Sequence, residues 1–179
     1  MPSRKGKKTR ASLDDGPPTL VYALQARDAN HSYIGATNNF QRRLSEHNGL
    51  VKGRGARYTR RQGTPDIAHP NWSPIFKVHG FPLRRQALQF EKLFHGGFGR
   101  RSFINVPTKR ANPFGTSSAA RRAWYLYWAL QKERFSRQKT ILTKKLVLRI
   151  EWSRADFYKV AKRLSDWGPA RVKHVMEKI

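Results

Sequence analysis

The chain has 179 residues, with 37 Lys or Arg against 11 Asp or Glu, a net charge of +26 at neutral pH. A surplus of that size repels itself unless a polyanion is near, so nucleic acid is the natural partner, although charge alone separates neither DNA from RNA nor an enzyme from a scaffold. The absence of Cys excludes disulfides, thiolate catalysis and Cys-rich zinc sites, the 21 aromatic residues argue against general disorder, and no apolar run approaches the roughly 18 residues of a membrane span.

Residues 1 to about 18 read as a basic tail. Arg4, Lys5, Lys7, Lys8 and Arg10 suit a nuclear address or a nucleic-acid arm, and equally a solubilising tail. From Thr19 to Ala26, Leu20, Tyr22 and Leu24 alternate with Val21, Ala23 and Gln25, which predicts a strand. Turn chemistry at Asp28 to His31 and a second apolar run at Ser32 to Ala36 complete a hairpin. Thr37-Asn38-Asn39 can cap a helix from Phe40 to about His47, which Asn48-Gly49 ends. Lys52 to Gly63 reads as a mobile basic loop continuing to Pro74, with Trp72 as an anchor. Ile75 to His79 is a third strand.

A helix from about Leu83 to His95 places Leu83, Ala87, Phe90 and Phe94 on one face. After a short apolar segment at Ser102 to Val106 come a long helix from Ser117 to Phe135, a strand from Lys145 to Trp152, a helix from Asp156 to Leu164, and a last helix starting at Pro169 and ending near Lys178. The expected fold class is α/β (α+β): a small three-stranded mixed or antiparallel sheet flanked by helices, then a mostly helical basic C-terminal extension. The expected divisions are a tail at 1–18, a domain at 19–110 and the extension at 111–179.

Two tyrosines, Tyr22 and Tyr33, sit 11 residues apart across the hairpin. Arg43 and His47 follow at i and i+4 on one helix face. Glu91 occupies a patterned position on the next helix, and Asn105 lies 14 residues beyond it. The Tyr33-Ile34-Gly35 triplet with this spacing resembles the GIY-YIG nuclease superfamily; the first triplet, Leu20-Val21-Tyr22, keeps only the Tyr. Arg42-Arg43, His47-Asn48, the Gly-rich basic stretch, Val78-His79-Gly80-Phe81-Pro82 and Phe90-Glu91 are similar to the branch of eukaryotic structure-specific endonucleases that cut flaps and Holliday junctions. The likeness is dense to about residue 97 and weak to about 156. That branch ends in a Cys-rich RING zinc domain, which this sequence is expected to lack.

The resemblance implies a metal-dependent endonuclease acting on branched DNA, with Mg²⁺ or Mn²⁺ as cofactor and a regulatory protein partner as an option. It places Tyr22 as general base or water orienter, Arg43 as phosphate clamp, and His47 as the group that orients Tyr22 or passes a proton. Tyr33 holds the phosphate or Tyr22, Glu91 is the metal ligand and Asn105 a possible prop. The acids between Thr19 and Val106 are only Asp28, Glu46, Asp66 and Glu91. So few carboxylates suit one hard cation held by Glu91, water and substrate phosphate better than a two-metal site.

Arg42, Lys52, Arg54, Arg57, Arg60 and Arg61, with Tyr58 and Trp72 nearby, form a basic stretch suited to gripping a DNA arm. Plainer readings stand beside these: hairpin tyrosines, a surface Arg43, His47 as a helix C-terminal cap, Glu91 in an ion pair, and His79 and His95 without a functional part. The competing function is a catalytically inactive nucleic-acid binder on the same fold, such as a component of an RNA–protein particle. The expected setting is the nucleus, a virus or a mobile element, with an organelle not excluded, and no membrane association.

Overall fold

The computed structural model describes residues 17–26, 31–51, 55–61, 72–96, 111–132 and 146–177, with the backbone alone at Arg60, Arg61 and Gly96. The tail up to residue 16, Asp28, Lys52, Arg54, Asp66, the 102–106 segment and Asn105 lie outside them.

The hairpin forms as its alternation predicts. Strand β1 (Leu20–Ala26) pairs antiparallel with β2 (Ser32–Thr37), setting Tyr22 opposite Gly35 and Leu24 opposite Tyr33. Helix α1 (Phe40–His47) starts where Asn39 Oδ1 accepts the Arg42 N–H at 3.0 Å and stops at Asn48. The Asn48 side chain bonds both ways to the Trp72 backbone, at 2.8 and 3.1 Å, and ties that helix end to the third strand.

Two departures follow in the middle of the chain. The basic stretch is not all loop, since Arg57–Arg61 form a short helix, α2. Strand β3 (Trp72–His79) begins three residues earlier than expected. Pro74 argued against a strand there because it cannot donate to the ladder; a register shift between Ala23 and Leu24 accommodates it. Helix α3 (Arg84–Gly96) buries Ala87, Phe90 and Phe94 completely, as its period requires.

The C-terminal part corrects the sequence reading. Helix α4 (Ser118–Leu130), capped by the Ser117 hydroxyl, is followed by strand β4 (Val147–Trp152), helix α5 (Ala155–Arg163) and strand β5 (Arg171–Met176). The expected last helix is therefore a strand. Among the described residues the sheet has five strands rather than three, in the order β2-β1-β3-β4-β5. It is antiparallel except for β4 and β5, which run parallel through the α5 crossover. Among the described residues the extension thus holds two strands beside its two helices, and its strands continue the sheet that carries Tyr22.

One face of the sheet packs against α3, α4 and α5 in the main core, where Phe76, Phe90, Phe94, Leu126, Leu130 and Trp152 are fully buried or nearly so. The other face holds a smaller cluster of Tyr22, Leu24, Phe40 and Trp72 beneath α1. On that face Lys77, opposite Tyr22 on β3, has its side chain only 8% exposed and its Nζ 2.9 Å from Glu151 and 2.6 Å from Glu177. Burial works against the ammonium, and the two carboxylates outweigh it, so Lys77 titrates above an ordinary lysine. Among the described residues no helix is long and apolar enough to cross a membrane.

Candidate active site

Tyr22 lies at the centre of a hydrogen-bonded chain. Its side chain crosses Gly35 of the edge strand β2 so closely that a Cβ there would stand 2.4 Å from Oη and 2.6 Å from Cζ. Glycine at that position gives the tyrosine its seat, which is a physical reason for the third residue of the Tyr-Ile-Gly triplet. From that seat the hydroxyl meets His47 Nε2 at 2.7 Å. Arg43 Nε donates to the same oxygen at 3.4 Å.

The tautomer of His47 follows from its other side. Thr59 Oγ1 lies 2.8 Å from His47 Nδ1 and gives its single proton to the Ala56 carbonyl at 2.9 Å. It can then only accept from the imidazole, so Nδ1 carries the hydrogen and Nε2 presents a lone pair to the Tyr22 O–H. Burial, then the Arg43 charge, push the His47 pKa from 6.5 down to about 4, and the ring is neutral at physiological pH. Burial pushes the Tyr22 phenol well above its ordinary range, against the opposing pull of Arg43. The resting pair is a neutral phenol donating to a neutral imidazole. Thr59 reaches this place because Gly55, at φ +97°, returns the chain onto α1 where a Cβ would meet the Glu46 carbonyl oxygen at 2.4 Å.

Arg43 is held as well as holding. Its Nη1 is 2.7 Å from Glu46 Oε2, and Glu46 is only 5% exposed. Burial acts against the guanidinium, and the bonds to Glu46 and Tyr22 more than offset it, so the charge is secure. Its side chain keeps 31% exposure, leaving an edge for an incoming anion. Arg42 and Arg84 join Arg43 around a small cleft of about 210 Å³.

Tyr33 packs its ring 6.3 Å from that of Tyr22 and 4.7 Å from that of His47. Burial raises its pKa too. Glu91 is close enough for its charge to act on both phenols, lies 3.6 Å from His95 Nε2, and has a side chain 24% exposed. Tyr22, Tyr33, Arg43, His47 and Glu91 therefore converge. The basic residues expected to bind nucleic acid are placed unevenly: the Arg42 side chain is 62% exposed and Arg57 is exposed on α2, while the side chains of Arg60 and Arg61 are outside the described residues along with Lys52, Arg54 and Asn105.

Sequence reasoning passed over Thr59, whose part depends on a return of the chain that spacing does not record. It also left Glu46 unassigned, although an acid three residues after Arg43 on one helix was a legible pairing signal. His79 pairs with Glu151 at 3.2 Å and stays away from the site.

Among the described residues no group of three or more His, Asp or Glu is arranged to hold a metal ion. The donor set at the site is Glu91 with His95 beside it. A single carboxylate that leaves room for water and phosphate oxygens fits Mg²⁺, which dehydrates reluctantly and commonly takes one or two carboxylates.

The tyrosine pair, the helix-borne Arg and His, and the one Glu all fall within residues 18–101, which match the GIY-YIG catalytic domain. The chain is 42% identical over 81 residues to the structure-specific endonuclease subunit SLX1 of Candida glabrata, and 41% identical over 87 residues to SLX1 of Debaryomyces hansenii. These stretches cover 45% and 48% of this chain and 24% of each yeast protein. The L300 protein of Acanthamoeba polyphaga mimivirus is 39% identical over 73 residues, 40% of this chain and 39% of its own. The chain thus spans well under half the length of these relatives.

Proposed function

We propose that the chain is a divalent-metal-dependent endonuclease that hydrolyses phosphodiester bonds in branched DNA such as flaps, forks and junctions. The observation that carries this reading is the Tyr22–His47–Thr59 chain, with its tautomer fixed so that His47 can receive a proton, set beside Arg43 and Glu91. Mg²⁺ or Mn²⁺ held by Glu91 supplies Lewis acidity at the phosphate. The protein's own groups do the rest. Arg43 clamps the phosphate with its exposed edge, while Glu46 keeps the guanidinium aimed. Tyr22 takes a proton from the attacking water as its own passes to His47 Nε2, and the His47 Nδ1–H stays on Thr59. Tyr33 holds the phosphate or Tyr22. Arg42 and Arg57 carry flanking phosphates.

The name of the yeast relatives contains the word subunit, and we extend a protein partner to this chain on that ground. A nuclear or viral setting follows the yeast and mimivirus relatives in the same way. The test is cleavage of labelled 5′-flap, fork, Holliday-junction and linear duplex DNA with Mg²⁺ and with excess chelator. Metal-dependent cutting confined to the branched substrates is expected. Binding with a steep salt dependence and no cutting of any of them would move the chain to the inactive nucleic-acid binder.

The Gly35 seat gives a sharper check on the geometry. In Gly35→Ala the added methyl must push the Tyr22 ring aside, since the β2 backbone is fixed by its ladder. Cleavage is expected to fall about 10²-fold, the usual cost of a displacement near 1 Å at a reacting group. The thermal midpoint should fall as well, because Tyr22 is fully buried and bonded to His47, and overpacking such a site costs about 1–3 kcal/mol.

A further inference from the structure

A second cleft, of about 420 Å³, opens beside this site between the edge strand β2, helix α2 and the first half of α4. Tyr33, Tyr58, His95, Ser118, Arg121 and Arg122 line it, and its size falls within the range of about 300–1,000 Å³ typical of ligand sites. Two of these residues join it to the candidate active site: Tyr33 packs on His47, and His95 stands next to Glu91. The far wall is built by α4, from the part of the chain beyond the matched catalytic domain.

The lining has a defined chemistry. Tyr58 is 43% exposed and stacks on Tyr33, with ring centroids 6.4 Å apart and planes 20° from parallel, so the two phenols form one tilted aromatic surface. Trp72 supports Tyr58 from another side at 6.2 Å. Arg122 is anchored by its Nε–H to Ser32 Oγ at 2.9 Å, and Arg121 is exposed beside it. Burial pushes the Arg122 guanidinium down to about 10, which leaves it cationic at neutral pH. Two guanidinium groups and no carboxylate are found among the described lining residues. Aromatic faces with adjacent cations suit a planar base attached to a phosphate.

We propose that this cleft is a nucleotide subsite, receiving one unpaired nucleotide of the cut strand with its base against Tyr58 and its phosphate at Arg121 and Arg122. Its place next to the scissile phosphate rests on the nuclease reading above. A base held in a duplex cannot enter a cleft of this kind without leaving its stack, and one at a flap or junction has already done so. The subsite therefore favours cutting next to unpaired nucleotides, and it makes α4 part of substrate selection.

The test is binding of fluorescently labelled 5′-flap DNA in excess chelator, so that no cutting is needed for the readout. An abasic residue is placed at each position flanking the branch in turn, against wild type, Tyr58→Ala and Tyr58→Phe. At one position the abasic residue is expected to weaken wild-type binding about tenfold, a stacking-sized loss. Tyr58→Ala should bind the natural flap about tenfold more weakly than wild type and be indifferent to the abasic residue there. Tyr58→Phe should retain wild-type behaviour, which a misfolded loop would not. The proposal is overturned if no position responds, if the two losses simply multiply, or if Tyr58→Phe loses as much as Tyr58→Ala. The same pattern in a wild-type protein that cuts nothing with Mg²⁺ removes the nuclease reading and keeps the subsite. Branched-DNA cutting with no abasic response removes the subsite and keeps the nuclease.

Discussion

Glu91→Gln is expected to stop cleavage while leaving DNA binding within about twofold of wild type. The charge of Glu91 acts on both tyrosines, while Glu46 is committed to Arg43 at 2.7 Å. Gln keeps the size and the hydrogen-bonding oxygen of Glu91 but loses the charge that attracts a hard cation. Losing several kcal/mol of metal stabilisation at the phosphate amounts to at least about 10³-fold in rate. Glu91 is partly exposed and pairs with His95 on its own helix at 3.6 Å, so the thermal midpoint should stay nearly in place. Single-turnover cleavage with Mg²⁺, beside binding in chelator, separates the two effects. Undiminished cutting by the variant would dismiss Glu91 as the metal ligand.

Tyr22→Phe should cost about 10²–10⁴ in the cleavage step, the range for loss of a positioned proton-transfer group. It also leaves His47 Nε2 buried without a donor, so about 1–3 kcal/mol of stability should go with it. Burial puts His174 at about 4 as well, so His47 supplies only part of the pH response. Its pKa is lower folded, about 4, than unfolded, about 6.5. The unfolded state therefore takes the proton first as pH falls. The contribution of neutral His47 is whole above about pH 6.5 and is lost as pH drops toward 4. Chemical denaturation at pH 7.5, 6 and 5 should show that decline in wild type. Cleavage should keep its His47-dependent capacity at pH 6, where an ordinary histidine would be mostly protonated. An acid limb centred at pH 6.5 in the wild-type cleavage profile would contradict the neutral Nδ1–H imidazole.

Much of the site was readable because it is local. Tyr22 and Tyr33 are placed by one hairpin, and Arg43 and His47 by one capped helix turn that follows it, so the family resemblance of this local spacing was enough to expect their meeting. Glu91 was readable from the apolar period of α3, which fixes the face it occupies. Thr59 and Arg122 arrive from distant stretches, and no period in the sequence records that. The same distinction explains the fold. The start of β3 was hidden by Pro74, which the register shift opposite Leu24 absorbs. β5 was mistaken for a helix because Pro169 resembles a helix start and the strand is too weakly buried to advertise itself. Its alternation of Arg171 and Lys173 with Val172, His174 and Met176 was nonetheless a period of two, and a parallel partner beyond a crossover helix was its missing context.

The bond between Lys77 and Glu177 has a consequence for how the molecule is made. A chain emerging from the ribosome completes the hairpin, α1 and β3 long before residues 171–177 exist. Until then Lys77 has at most one of its two carboxylates, and β4 has an open parallel edge. At about 5–20 residues per second, the interval from Trp152 to Glu177 lasts on the order of one to five seconds. Throughout it the strand beside Tyr22 carries an ammonium with half its counter-charge. The order of synthesis thus leaves the ion pairing of Lys77 incomplete until β5 has docked beside β4.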